Sequence, residues 1–148
     1  MADRAPGPRA GQVFRYPFLW KRQQEKGETE GRKSRPICLV VTATTADGET
    51  LLFLLPITTQ TPGEGRIAAW VTTMEARRAG LGTNQPCWVM LDEINTDILE
   101  RSWAFEDRTP LGRFSPAFAD ELRRTLLDAA RSGRASIVNR KGISRWPT

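Results

Sequence analysis

Residues 35–60 read RPICLVVTATTADGETLLFLLPITTQ, and this stretch decides the fold. Two apolar runs flank Asp47-Gly48, and a "DG" pair between such runs is a strong hairpin signal. Pro36–Thr44 is therefore predicted as one strand and Thr50–Ile57 as the next. The second, TLLFLLPI, is apolar without interruption, which predicts burial on both faces. What precedes the hairpin is of another kind. Lys33, Arg35 and Pro36 stand at the mouth of a core strand. A buried strand has no need of cations there, whereas a binding site does.

Working outward, GQVFRYPFLW (Gly11–Trp20) reads as a first strand, with Pro17 at an edge or bulge. Lys21–Ser34 is wholly polar, contains two glycines and is predicted as a long flexible loop. Beyond the hairpin, Thr58–Arg66 is a loop and Ile67–Thr72 a strand. Thr73–Gly82 is a short helix, Cys87–Leu91 a strand, and Asp92–Thr96 a polar run. Ile98–Phe105 is extended, and Thr109–Gly112 is a turn. The last helix is the clearest element. Ser115 is suited to the N-cap, Pro116 to the first helical position and Gly133 to the stop. Phe118, Leu122, Leu126 and Ala129 form one apolar face, with Arg123 and Arg124 outward. Ala135–Asn139 is a short final strand. Residues 1–10 are expected to be a disordered tail and 141–148 a basic one. Short strands, hairpin turns and one helix predict a mainly β domain with a C-terminal α-helix. Its sheet is a small, strongly curved, partly open antiparallel barrel.

The totals bound what such a domain does. A chain of 148 residues makes one domain, which buries roughly 70% of its unfolded surface. No apolar run approaches the roughly 18 residues of a membrane span, and the N-terminus lacks a secretory apolar region, so a cytoplasmic location is expected. Cys38 and Cys87 sit in apolar runs and read as buried free thiols. No cluster has metal-ligand spacing, so neither metal nor cofactor is expected. Lys and Arg number 22 against 17 Asp and Glu, a formal charge of +5 that suits a polyanionic partner. The chain contains no histidine. That removes Ser-His-Asp, Cys-His and paired-His chemistry.

Several features now follow in order. A glycine-led strand precedes a polar loop, followed by Lys33-x-Arg35-Pro36 and an apolar strand. The next apolar strand ends in Pro56-Ile57-Thr58-Thr59-Gln60. Leu91-Asp92-Glu93-Ile94 and a closing helix come later. Over roughly residues 10–140 this resembles the MazF/PemK family of toxins from bacterial toxin–antitoxin pairs. The chain is longer than typical members at its N-terminus and between residues 100 and 115.

The resemblance implies an SH3-like barrel, a homodimer and metal-independent cleavage of single-stranded RNA. It also implies an antitoxin partner that lays a flexible acidic segment over the RNA groove. Arg35 matches the family's R-P arginine, and Thr58 matches the Thr or Ser that ends the next core strand. Both are expected at the scissile phosphate. The chemistry is coherent on its own terms. RNA supplies its 2′-hydroxyl as nucleophile, and a guanidinium forks two hydrogen bonds onto phosphate oxygens. A threonine is a poor base, so Thr58 is expected to position rather than to take a proton. Lys33, Thr59 and Gln60 are expected to bind RNA with them. Lys21, Arg22, Lys26 and Arg32 are placed to meet the RNA backbone, and Trp20 to stack a base. Other residues read as structural: Trp70, Trp88 and Trp103 as core, and Arg123 and Arg124 as a solvated face. Asp92 and Glu93, adjacent on a strand, are expected to point to opposite faces. The rival reading is a non-catalytic toxin of the gyrase-inhibitor kind, or an inactive relative that binds on the same fold.

Overall fold

The computed structural model describes residues 7–29, 31, 33–102, 104–105 and 107–140. Trp103, Arg32 and the tail residues 1–6 and 141–148 lie outside the described residues. Eight strands, three α-helices and a 3-10 turn (Leu99–Arg101) follow one another. They are β1 (Gln12–Tyr16), α1 (Lys21–Glu25), β2 (Arg35–Thr44), β3 (Thr50–Thr58), β4 (Ala68–Val71) and α2 (Thr73–Arg78). After these come β5 (Cys87–Met90), β6 (Glu93–Ile98), β7 (Gly112–Arg113), α3 (Pro116–Arg131) and β8 (Ser136–Asn139). The fold is mainly β with a C-terminal helix, as the hydrophobic patterning predicts.

The hairpin at the centre forms as its sequence demands. Thr44 pairs with Thr50, and Gly48 takes φ +82°, a left-handed conformation that glycine adopts without strain. β3 is the hub of the sheet. Its first half, Leu51–Leu54, pairs with β6, and its last residues, Ile57 and Thr58, pair with β5. β2 runs along its other edge, and the register shifts between Leu39 and Val41, a bulge that lets the sheet curl. The sheet runs β4-β5-β3-β2-β1-β7, with β6 and then β8 branching from β3. All pairings are antiparallel except β6 with β8, which is parallel.

Alternation along the central strands feeds two cores. Cys38, Val40, Leu55 and Ile57 face one side, under α2 and α3, where Phe118, Leu122, Leu126 and Ala129 of α3 close the layer. Ile37, Leu39, Leu52 and Leu54 face the other side with Phe14, Tyr16, Phe18 and Trp20. The unbroken apolar run of β3 is thus explained by burial on both faces. The second face is covered by the segment after β6. Phe105 lies fully buried, edge-on to Phe14 at 5.0 Å and to Tyr16 at 5.9 Å.

Four expectations are corrected here. Lys21–Ser34 is not a continuous loop: Lys21–Glu25 forms α1. Gln23 makes this possible, because its side chain reaches back to the Trp20 N–H at 3.1 Å, half of a capping box. Asp92–Thr96 is not simply a polar run, since Glu93–Ile98 is β6, a strand inside the sheet. Its polar residues are tolerated because each is hydrogen-bonded (below). Ile98–Phe105 is not extended: a 3-10 turn at Leu99–Arg101 redirects the chain so that Phe105 can cap the second core. Trp70 and Trp88 are not core: Trp70 is 57% exposed, because β4 is an edge strand whose inward positions are taken by Ala69 and Val71, and Trp88, paired with it, is half-buried and joins neither core. No helix among the described residues is long and apolar enough to cross a membrane.

Candidate nucleic-acid interface

A groove of about 690 Å³ opens where the end of β3, the start of β2 and the end of the first-strand segment converge. Arg35, Thr58, Trp20, Lys33, Thr59 and Gln60, the residues singled out from sequence, all line it. The reason is topological. Arg35 is the first residue of β2 and Thr58 the last of β3, and these strands are antiparallel neighbours paired from Ile37 with Pro56 onward. The strand start and the strand end therefore meet on one rim. Asp and Glu are absent from the lining among the described residues, while Arg22, Lys33, Arg35 and Arg66 are present. The lining carries a cationic excess, although Arg66 is itself paired with Asp92 and Glu93.

Among the described residues no carboxylate pairs with Arg35. Its guanidinium lies over the Trp20 ring at 5.3 Å, and that of Arg22 lies over the same ring at 5.2 Å. Its Nε is buried and has no hydrogen-bond partner among the described residues. Burial, and then the neighbouring Arg22 cation, pull the Arg35 pKa below the ordinary arginine value. A buried, unpartnered donor beside a second cation is an unusual arrangement that costs stability. Trp20 itself is only 7% exposed. It lines the groove but serves as a seat for two guanidinium groups rather than as an open face for a base.

Thr58 accepts a hydrogen bond from the Gln60 N–H at 3.0 Å. That bond fixes the turn out of β3, the structural use expected of such a threonine. It also leaves the hydroxyl proton free to be donated. Lys33, Thr59 and Gln60 are exposed on the rim.

Two networks support the site; in the sequence Asp92 and Glu93 read as structural, but Arg66 as their partner and the whole second network were not foreseen. In the first, Arg66 forks onto Asp92 (Nε to Oδ2 2.7 Å, Nη2 to Oδ1 2.9 Å) and reaches Glu93 Oε2 at 3.1 Å. Glu93 Oε1 accepts the Lys21 N–H at 2.9 Å. Adjacent carboxylates thus meet on one arginine, contrary to the expectation of opposite faces, because Asp92 lies just before β6 and is free of strand alternation. Burial alone would raise the Asp92 pKa. The bonds from Arg66 and the Ile67 N–H, with the Arg66 charge, outweigh it and leave the carboxyl below its usual value.

The second network lies under Trp20. Asn95, fully buried, donates to Leu19 O (2.8 Å) and accepts from Leu19 N (2.9 Å). Arg140 donates to Asn95 Oδ1 (3.1 Å) and Pro17 O (2.8 Å) and lies over the Tyr16 ring at 5.2 Å. The Tyr16 hydroxyl donates to Asp97 Oδ2 at 2.7 Å, and Ser102 Oγ donates to the same oxygen at 2.6 Å. Burial first, opposed by Arg140 and reinforced by Asp97, raises the Tyr16 pKa well above that of a free phenol. Together these bonds fix the Pro17–Trp20 segment, and so the seat of Arg35. The sequence signal was slight: Asn95 and Asp97 alternate with Ile94, Thr96 and Ile98 at strand period.

Cys87 lines the groove but is 5% exposed, and Cys38 is fully buried, its thiol pushed by burial to about 12. Both are free. Among the described residues no group of three or more His, Cys, Asp or Glu is placed to hold a metal ion. Compared with protein-family models and with curated proteins, the chain matches none.

Proposed function

We propose that this protein is a metal-independent endoribonuclease that cleaves single-stranded RNA in the groove, as a MazF/PemK-like toxin does. The observation that carries the reading is the meeting of Arg35 and Thr58 in one groove. That groove is rich in cations, is lined by no described carboxylate, and holds the Arg35 Nε without a partner.

In this reading the scissile phosphate sits against Arg35, which offers its free donors to the non-bridging oxygens. Thr58 donates its hydroxyl proton to the phosphate or the 2′-oxygen and positions them. The 2′-oxygen forms a bond to phosphorus as the bond to the 5′-oxygen breaks, and one proton moves from the 2′-oxygen to the departing 5′-oxygen. The products are a 2′,3′-cyclic phosphate and a 5′-hydroxyl, with no water consumed. A donor preorganised on the developing phosphorane charge is worth on the order of 10² in rate or more. Lys33 and Arg22 hold the backbone on either side of that phosphate. An antitoxin's acidic, flexible segment fits the same anion-attracting groove, and a homodimer and a cytoplasmic site of action belong to the same reading. The curved, mainly β sheet with its C-terminal helix is compatible with an SH3-like barrel.

One observation favours the rival, a module that binds without cleaving. The Thr58 hydroxyl already has a structural duty toward Gln60. Incubating wild type and Arg35→Ala with a long single-stranded RNA in EDTA separates the two. Cyclic-phosphate ends from wild type alone support the nuclease. Binding without cleavage by wild type, across several RNAs, supports the module.

A further inference from the structure

Thr58 pairs with Trp88 across β3 and β5, and Trp88 pairs with Trp70 across β5 and β4. Directly paired residues project to the same face of a sheet. Their alternate neighbours Ile57, Val89 and Val71 point inward, into the core beneath α2 and α3. Thr58, Trp88 and Trp70 therefore form one row on the opposite face, beside Met90 and Ala68 at the uncovered margin of the second core. Trp70 is 57% exposed, Trp88 is half-buried, and neither joins either core. At one strand spacing per step, Trp70 lies about 10 Å from Thr58, backbone to backbone. A single exposed indole is ordinary. Two of them in register, leading away from a cationic groove, form a surface of another kind.

Building on the nuclease reading, we propose that Trp88 and Trp70 form a base-stacking platform for nucleotides flanking the cleaved phosphate. The platform takes the unpaired bases of single-stranded RNA. Stacking on aromatic faces is how proteins hold unpaired bases with little sequence preference, because every base has a π-face. The groove supplies the charge for the backbone, and the row supplies the apolar faces. Trp20 does not fill that role, since its ring is buried beneath two guanidinium groups.

The test is fluorescence anisotropy with a labelled single-stranded RNA decamer and the same decamer carrying abasic sugars outside the cleavage step. It is run with wild type, Trp70→Ala, Trp70→Phe and Arg35→Ala. Trp70 is an exposed side chain, so its variants fold. Trp70→Ala is expected to weaken binding of the base-bearing RNA about tenfold, with no effect on the abasic RNA. Its salt slope should be unchanged, while Arg35→Ala flattens the slope. Trp70→Phe should restore affinity to within a few-fold. If wild type binds and Trp70→Ala binds equally well, the platform is wrong and the nuclease reading stands. If wild type binds no RNA, both fall. If Trp70→Ala leaves RNA affinity intact but converts a dimer to a monomer in sedimentation, the row is a contact between copies and the platform is overturned.

Discussion

The Arg35 guanidinium lies 5.3 Å from the centre of the Trp20 ring, and the same residue keeps a buried Nε without a partner. Its position is set by an aromatic surface and by the first rung of β2, not by a carboxylate. Charge alone is not what this arrangement conserves. Lysine at position 35 keeps the charge but loses the fork and the flat contact with the indole. Arg35→Lys is expected to lower kcat by about 10²-fold or more while leaving thermal unfolding within a few degrees of wild type. Rapid-quench cleavage assays and a melting curve check the two halves separately.

On the nuclease reading Thr58 has a structural duty toward the Gln60 N–H and a positioning one through its hydroxyl proton, and substitution tests whether the hydroxyl matters. Thr58→Ser keeps both the acceptor for the Gln60 N–H and the free hydroxyl proton. Thr58→Val keeps the shape and loses both. The serine variant is expected to retain cleavage to within several-fold. The valine variant is expected to lose about 10²-fold in rate and about 1 kcal/mol in stability, from the lost turn bond. Equal activity in Thr58→Val would remove Thr58 from the chemistry.

Arg140 joins the end of β8 to the segment that carries Trp20 through Pro17 O, Asn95 and the Tyr16 ring. Arg140→Ala removes two charge-assisted hydrogen bonds from a buried position, at a cost of about 2 kcal/mol. For a chain of this size that is a fall of about 4–8 °C in Tm. The Pro17–Trp20 segment should loosen with it, so KM for RNA should rise even at temperatures where the variant is folded. Calorimetry and steady-state kinetics report the two effects.

The pair of Asp92 with Arg66 makes stability depend on acid. The Asp92 carboxyl titrates below its ordinary value of 3.8 in the folded protein. Its contribution is therefore complete above that value and is lost as pH falls through the lower, folded one. Arg66→Met removes the cause. The wild type should exceed the variant by about 1 kcal/mol near neutrality, since the pair is partly exposed. The gap should close as pH falls below about 4. Urea titrations at pH 7, 5 and 3.5 measure it, and a gap that grows in acid contradicts the assignment.

Much of this was legible in the sequence where a single physical pattern dominated. The hairpin from Arg35 to Thr58 announced itself through Asp47-Gly48 and the run TLLFLLPI, and α3 through Ser115, Pro116 and its apolar stripe. Arg35 and Thr58 were singled out by the resemblance to the MazF/PemK pattern, and the antiparallel pairing of β2 with β3 is what brings them to one rim. The rest failed for identifiable reasons. α1 is only five residues long and rests on one side-chain cap from Gln23, too little for periodicity to show. β6 carries Asn95 and Asp97 in a buried sheet position, and only their tertiary partners Leu19, Tyr16 and Ser102 make that tolerable. Trp70 was misplaced because its surroundings depend on β4 being an edge, a property of topology rather than of the residues around it. The aromatic row from Thr58 through Trp88 is equally invisible, since it exists only in cross-strand register.

Asn95 completes Leu19 as a neighbouring strand would, donating to its carbonyl and accepting from its N–H. One amide side chain thus substitutes for a ladder rung and fastens the segment that carries Trp20. The Leu19 amide proton is consequently a built-in gauge of that wall. Its exchange with deuterium requires the Asn95 clasp to open, so the exchange rate reports how often the seat of Arg35 comes loose. An anion that settles in the groove and tightens the seat should slow exchange at Leu19. Amides in the distant hairpin at Thr45–Glu49 should keep their own pace.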